Sequence, residues 1–285
     1  ILCESLEVSL GRAIEKCPHD RLFILTDEQT HRLCMPQMRE VSFLKDAIEI
    51  TIGAGDVHKT LETLASVWQI LSDKGASRHS LLINLGGGMV TDLGGFAAAT
   101  FKRGFAYINV PTTLLAMVDA SVGGKTGINF NGLKNEVGVF APADSVLIET
   151  EFLRSLDAQN FFSGYAEMLK HGLISNEAHW AELLNFNTDL IDYKYLKKLV
   201  GESVQVKENI VEQDPFEHGI RKALNLGHTV GHAFESLALA ENRPVLHGYA
   251  VAWGIVCELY LSHLKVGFPK EKMRQTIQFI KDNYG

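Results

Sequence analysis

Two rhythms of apolar residues divide this chain. Up to about residue 150, short continuous apolar runs alternate with stretches of helical spacing. "RLFILTD" (21–27), "SLLINLGGG" (80–88), "FAYINVPTT" (105–113) and "ADSVLIE" (143–149) read as buried strands, and "AIEITIGAGD" (47–56) alternates before breaking at glycines. "KTLETLASVWQILSDKG" (59–75) spaces its apolar residues as a helix does and stops at Gly75. Strand, helix, strand in series predicts a parallel sheet with helices on its faces. Past residue 150 only the helical rhythm remains, in "ETEFLRSLDAQNFFSGYAEMLKHGLIS", "YLKKLVGESVQVKENIVEQD", "RKALNLGHTVGHAFESLAL" and "HGYAVAWGIVCELYLSHLKVG". The expectation is an α/β domain over residues 1–149 followed by an all-α domain over 150–285.

Composition narrows the function classes. The 285 residues include 46% hydrophobic and 21% charged side chains, an ordinary globular balance. A net charge of −7 argues against broad binding to nucleic acid or anionic membranes, while leaving room for a local basic pocket that holds a small anion. Cys3, Cys17, Cys34 and Cys257 are scattered with no CxxC pair, which fits free thiols in a reducing cytoplasm better than a disulfide or zinc framework. No apolar run is long enough to span a bilayer, and no signal-peptide pattern is present.

Candidate chemistry gathers in four places. "LLINLGGGMVTDLGGFAAATF" (81–101) runs from strand through glycine turn to helix, so Gly86 to Gly88 either cradle a phosphate at a helix N-terminus or simply make a tight turn. Thr91 stands where the third glycine of the dinucleotide fingerprint belongs, and Asp92 caps, packs or binds a ribose. "FKRGFAYINVPTTLLAMVDASVGGKTGINFNGLKNEVGVF" (101–140) scatters Lys102, Arg103, Lys125 and Lys134 among glycines and apolar residues. It reads as a loop closely approached by an anion, or as a mobile surface loop with incidental lysines. In "FFSGYAEMLKHGLI" (161–174), Glu167 and Lys170 sit three apart on an apolar helix, where a buried carboxylate needs a cation or metal as partner. His228, His232 and Glu235 recur at four- and three-residue spacing in "LNLGHTVGHAFE", and His247 precedes another apolar helix. Glu167, one or both of His228 and His232, and His247 together make an N/O donor set suited to Zn²⁺ or Co²⁺ with an open position.

"GGGMVTDLGGFAAATFKRG", "VPTTLLAMVDASVGGKTGIN", "GLKNEVGVF", "GYAEMLKHG" and "RKALNLGHTVGHAFE" followed by "HG" together resemble the 3-dehydroquinate synthase family of sugar-phosphate cyclases, in order over residues 20 to 265. The resemblance implies a Rossmann-like NAD-binding domain with a parallel sheet and a helical metal- and substrate-binding domain. It implies conversion of 3-deoxy-D-arabino-heptulosonate 7-phosphate to 3-dehydroquinate and phosphate, the second step of the shikimate pathway. Catalytic NAD, a divalent metal (zinc, with cobalt as the other option), a cytoplasmic location and a homodimer come with it. So do residue roles: Glu167, His228 and His247 as metal ligands, and His232 turned instead to substrate and its protons. Lys125, Asn135, Lys170, Lys207, Arg221 and Asn225 match substrate contacts, and Arg103 matches a residue reaching the neighbouring subunit's substrate. Asp27, Asp56, Lys59, Gly87, Gly88, Asp92, Thr112, Thr113, Asp119 and Lys134 match NAD-binding positions.

Three departures from the family pattern carry consequences. "SLDAQNFFSGYAE" lacks the usual Pro, Arg and Glu before the metal-ligand helix, and Tyr249 replaces a usual Glu beside His247, which leaves that histidine without its expected orienting carboxylate. A late lysine-bearing segment is absent, and the chain starts at Ile1, so the natural protein is expected to extend past Gly285. Other readings are a sibling cyclase making an aminocyclitol or valiolone precursor, a metal-dependent polyol dehydrogenase, and a non-catalytic binding module. Arg221 and Asn225 favour a substrate carboxylate, and hence the shikimate reaction, over the sibling cyclase.

Overall fold

The computed structural model describes residues 1–285, which fold as two units, Ile1–Ser155 and Leu156–Gly285. The first unit contains, in order, α1 (Leu6–Glu15), β1 (Leu22–Asp27), α2 (Glu28–Leu33), α3 (Met35–Arg39), β2 (Ile48–Ile52), α4 (Leu61–Asp73), β3 (Leu81–Gly86), α5 (Gly88–Thr100), β4 (Ala106–Pro111), β5 (Lys125–Phe130), β6 (Leu133–Phe140) and β7 (Ser145–Val146). Five of the strands form one sheet in the order β2-β1-β3-β4-β7, all pairs parallel. Strand β3 lies at its centre with all six residues buried, which is why its sequence is apolar on both faces but for Asn84, whose amide donates to Asn109 at 2.9 Å. From β1 the chain moves outward to β2 and then returns to the other side of β1 with β3, so the winding direction reverses between β1 and β3. Ligands of open α/β sheets bind outside the carboxyl ends of the strands at such a reversal.

Two segments differ from the sequence expectation. Residues 143–149 form strand β7 with β4 only at Ser145 and Val146, flanked by Asp144 and Leu147 donating to β4 carbonyls, and Ile148 bridges Leu2 near the start of the chain. The stretch expected to be a glycine-rich, cation-bearing loop is instead an antiparallel hairpin of β5 and β6. Its two-residue turn, Asn131-Gly132, has φ of 50° and 78°, the left-handed pair that matches strand twist in a tight hairpin. The strands meet so closely at Gly127 and Gly138 that a Cβ on Gly138 would lie 2.0 Å from the Thr126 carbonyl oxygen.

The second unit is helical: α6 (Ala158–Ser175), α7 (Glu177–Asn185), α8 (Tyr193–Gln213), a 3-10 turn (Ile220–Asn225), α9 (His228–Ala240), α10 (His247–Val266) and α11 (Lys270–Tyr284). Helix α6 starts at Asp157, whose carboxylate accepts the Asn160 N–H at 2.9 Å, so the long helix read from the sequence begins only there. Likewise "RKALNLGHTVGHAFESLAL" is broken at Gly227, with a 3-10 turn before it and α9 after it. Helix α6 is buried almost all round, from Ser163 through Gly172. Glycines let α10 touch its neighbours at backbone distance: a Cβ on Gly248 would lie 1.9 Å from the Ser163 carbonyl oxygen, and one on Gly254 1.9 Å from that of Gly227. The same closeness explains Gly227 and Gly231, for the group that approaches them is the backbone of α10. No helix is long and apolar enough to cross a membrane.

Candidate active site

In the helical unit, three helices bring Glu167, His228 and His247 together. Nε2 of His228 and Nε2 of His247 each lie 3.5 Å from Oε1 of Glu167, and the two rings are 5.2 Å apart. That oxygen is buried and has no hydrogen-bond partner. A buried carboxylate oxygen with no hydrogen bond of its own costs roughly 2 kcal/mol or more unless positive charge faces it. A cation facing it removes that cost. Two ligand atoms on a tetrahedral zinc with bonds of roughly 2.0–2.1 Å stand about 3.4 Å apart, close to the observed spacing. The residues present therefore fit a divalent ion.

The other atoms of the set are already engaged in ways that leave the right lone pairs pointing inward. His228 Nδ1 donates to the Leu226 carbonyl at 3.2 Å, and His247 Nδ1 lies 3.3 Å from Oε2 of Glu235. With Nδ1 held as the donor in each ring, an ion that displaced the proton from Nε2 would find both Nε2 atoms facing Glu167. Glu235 thus supplies the carboxylate that Tyr249 cannot. Burial raises the Glu167 pKa, but the Lys170 charge beside it, together with His247 and His228, overrides this and holds the carboxyl well below its usual range. Lys170 donates to the second carboxylate oxygen, Oε2, and both side chains of this pair are fully buried. Burial lowers the His247 pKa, yet the Glu167 and Glu235 carboxylates outweigh it and push the group up to about 10, so the cluster attracts positive charge.

His232 lies beside this set, its ring 6.0 Å from that of His247, but outside it. Its side chain is 63% exposed and its Nε2 is 4.0 Å from Glu235, so the four-residue spacing does not make a two-histidine chelate around Glu167. From the sequence, Glu235 is a candidate only through its spacing with His228 and His232, and Glu258, Asp214 and Glu217 carry no assignment. Glu235 carried a usable signal, because it lies seven residues after His228 on the same helix face. The other three act through contacts far apart in sequence or through a loop. Asp214 accepts the backbone N–H groups of His218, Gly219 and Arg221, and Glu217 accepts from Asn225 Nδ2 at 2.8 Å. Arg221 and Asn225 lie on the 3-10 turn just ahead of His228; Arg221 is buried and donates to the Pro215 carbonyl at 2.6 Å. Lys207 is buried on α8.

A second histidine–carboxylate group, His179, Glu182 and Glu202, lies on α7 and α8. There the Lys198 ammonium sits 2.7 Å from Glu182 and 3.5 Å from Glu202, so part of the negative charge is already offset by the chain. It lines a cavity of about 500 Å³ that includes none of the residues of the first set.

In the α/β unit, expected site residues cluster where the sheet reverses. Asp27 closes β1, Gly86 closes β3 with Gly87 and Gly88 after it, and Thr112 and Thr113 follow β4. Asp27 caps α2, accepting the Thr30 N–H at 2.8 Å, while the Thr30 hydroxyl accepts the Asp27 N–H at 3.0 Å. Helix α5 starts at Gly88 after Gly87, which has no side chain to cap it and leaves the helix N-terminus open to an anion. Those glycines also pack tightly: a Cβ on Gly87 would lie 3.1 Å from Thr113 and one on Gly88 3.1 Å from Ala120. Lys59, buried, reaches both Asp92 and Asn135 at 2.5 Å, so Asn135 sits with the residues expected around NAD. Asn135 itself has φ 55° and donates its N–H to Asn129, whose amide reaches Asp56 at 3.2 Å. Asp119 lies on the π turn Ala116–Ala120, Lys125 opens β5 and Lys134 lies on the exposed strand β6. Lys102, Arg103 and Gly104 have φ of 51°, 69° and 105°, three successive left-handed residues that hold an exposed Arg103 at the end of α5.

Residues 49–163 match the family model described as 3-dehydroquinate synthase N-terminal, and residues 164–284 match its C-terminal counterpart. A curated 3-dehydroquinate synthase of Parabacteroides distasonis is 56% identical over 284 residues, covering 100% of this chain and 80% of that protein. The fold is similar to 2-deoxy-scyllo-inosose synthase in complex with carbaglucose-6-phosphate, NAD⁺ and Co²⁺, with a TM-score of 0.85 at 24% identity over 99% of this chain and 79% of that one. It is also similar to 2-epi-5-epi-valiolone synthase of Streptomyces hygroscopicus with NAD⁺ and Zn²⁺ bound, with a TM-score of 0.83 at 26% identity over 100% of this chain and 84% of that one.

Proposed function

The chain belongs to the 3-dehydroquinate synthase family, and from that premise we infer that it converts 3-deoxy-D-arabino-heptulosonate 7-phosphate to 3-dehydroquinate and phosphate. We assign it as a carbon–oxygen lyase that uses NAD and a divalent ion, zinc or cobalt. The single observation that carries the metal assignment is the buried, unpartnered Glu167 oxygen with two histidine Nε2 atoms at 3.5 Å. A divalent ion held by Glu167, His228 and His247 would supply Lewis-acid polarisation of a substrate hydroxyl, and bound NAD would supply a reversible hydride acceptor.

The chain's own residues bind, orient and move protons around that chemistry. Lys170 keeps Glu167 ionised, and Leu226 and Glu235 fix the tautomers of His228 and His247. Arg221 offers a planar fork to the substrate carboxylate, with Asn225 on the same turn beside it. Lys125 and Lys207 present point charges suited to phosphate. His232, exposed next to the metal set, has room to exchange protons with substrate. Asp27, Asp56, Lys59, Gly87, Gly88, Asp92, Thr112, Thr113, Asp119 and Lys134 form the NAD site; support comes from their grouping around the sheet reversal and the open N-terminus of α5. The working unit in this reading is a homodimer in which the strained turn at Arg103 serves the neighbouring subunit. A reducing cytoplasm suits the four free cysteines, of which Cys257 is exposed.

Phosphate release from the heptulosonate phosphate, with and without a chelator, tests the reading. Turnover should cease on chelation and return with Zn²⁺ or Co²⁺. Full activity in protein shown to be metal-free would overturn it, and net accumulation of NADH without phosphate release would point to a dehydrogenase.

A further inference from the structure

Helix α9 begins at the metal-set histidine itself, and its start is made in an unusual way. The first N–H groups of a helix have no partner inside it, and a Ser, Thr, Asp or Asn at the N-cap normally accepts one of them, most often that of the third helical residue. Here the N-cap is Gly227, at φ 81°, with no side chain to do so. Nor can another residue replace it: a Cβ there would lie 2.7 Å from the Val251 carbonyl oxygen and 2.7 Å from Ile255. The backbone contact with α10 that glycine permits thus removes the helix's own cap.

Helix α10 supplies the substitute. Glu258, one turn beyond Ile255, places Oε2 2.8 Å from the Gly227 N–H and Oε1 3.4 Å from the N–H of Val230, the third residue of α9. Its carboxylate therefore does from a neighbouring helix what an N-cap side chain does locally. It also sets a negative charge against the positive end of α9, which carries His228 as its first residue. Without that charge, the helix terminus would oppose a cation held by His228.

We propose that Glu258 is a positioning residue for the metal site, fixing the first turn of α9 so that His228 Nε2 faces Glu167 and offsetting the helix dipole beside the ion. This rests on the assignment of Glu167, His228 and His247 as the metal ligands. Outer-shell partners of metal histidines typically change metal affinity by about 10–100-fold when removed.

The test is Co²⁺ affinity of the full chain by competition with a chelator, together with the visible spectrum of the bound ion. Glu258→Ala should weaken Co²⁺ by about 10–100-fold and shift the visible bands, with NAD affinity unchanged. Glu258→Gln, which keeps one acceptor oxygen but not the charge, should recover part of the loss. Thr276→Val serves as a control, since it removes a buried hydrogen bond to Trp180 elsewhere in the helical unit. It should lower thermal stability and leave Co²⁺ affinity and spectrum as in the wild type. Wild-type affinity and spectrum in Glu258→Ala would overturn the proposal, as would equal metal loss in Thr276→Val. Glu167→Gln distinguishes the underlying assignment: if that variant also binds Co²⁺ normally, the ligand set itself is wrong and the proposal falls with it.

Discussion

Replacing Gly248 by alanine should damage both the stability of the helical unit and its metal site. The added Cβ would sit 1.9 Å from the Ser163 carbonyl oxygen and 2.5 Å from the Ser163 Cα, all backbone atoms of α6. Contacts below 3.0 Å are essentially never tolerated, so α10 must retreat from α6 by at least about 1.1 Å, the difference between 3.0 and 1.9 Å. No flexible side chain can absorb that shift. The retreat also stretches the 3.0 Å hydrogen bond from the Gly248 N–H to Ser163 Oγ. Overpacking of this kind costs about 1–3 kcal/mol and a weakened hydrogen bond up to about 1 more. Against a total stability of about 5–15 kcal/mol that is a large fraction. The residue before Gly248 is His247, whose Nε2 must meet a Glu167 oxygen on the helix it is pushed from. Displacing a site group by about 1 Å can cost on the order of 100-fold, and metal affinity should fall on that scale. Urea unfolding and Co²⁺ titration of the same preparation measure the two effects. Gly11→Ala is the control, since its Cβ would meet Phe43 at an ordinary 3.5 Å, and it should be neutral or slightly stabilising. An unchanged urea midpoint with unchanged Co²⁺ affinity in Gly248→Ala would refute the reasoning that glycine contacts set the ligand spacing.

Three further outcomes follow from the same geometry. His228→Ala should lose the metal, whereas His232→Ala should keep it and lose rate; metal analysis of both variants checks this, and metal loss only in His232→Ala would reverse the division of roles. Arg221→Lys should weaken substrate by about 1–3 kcal/mol while sparing NAD, because a point charge replaces a planar fork, and isothermal titration with each ligand measures the difference. Arg103→Ala and Glu167→Gln should each be nearly inactive alone, yet subunits mixed and reassembled in equal amounts should regain about a quarter of wild-type activity, since half the dimers are hybrids with one intact site. No recovery on verified mixing would place Arg103 outside the partner's site.

Much of the fold was legible because its signals are local. Continuous apolar runs marked β1, β3 and β4, and helical spacing marked α4 and most helices of the second unit. The β5–β6 hairpin was missed because β6 is exposed along its whole length and β5 buries only Thr126, Gly127 and Ile128, so neither alternation nor a continuous apolar run announced them; the Asn131-Gly132 turn was the one available sign. Within the site, the spacing of His228 and His232 suggested a chelate that the helix geometry does not make, because His228 opens α9 and turns toward Glu167 while His232 turns outward. The candidate ligand set joins positions from three helices; the residue types grouped them from the sequence, and the resemblance to a known family chose His228 over His232. Glu258 left no trace at all, since its partner N–H groups belong to residues about thirty positions earlier, and backbone donors carry no side-chain signature.

The placing of Glu167, His228 and His247 on three separate helices has a consequence for how the protein unfolds. An ion held by all three ties the chain into two loops, of roughly 60 and roughly 20 residues, so it restricts the unfolded ensemble much as a cross-link would. Because the ligands come together only in the folded helical unit, the ion's free energy of binding adds directly to that unit's resistance to melting, growing with the logarithm of its concentration. The α/β unit has no share in that bond. Chelation should therefore lower the melting temperature of the helical unit more than that of the α/β unit.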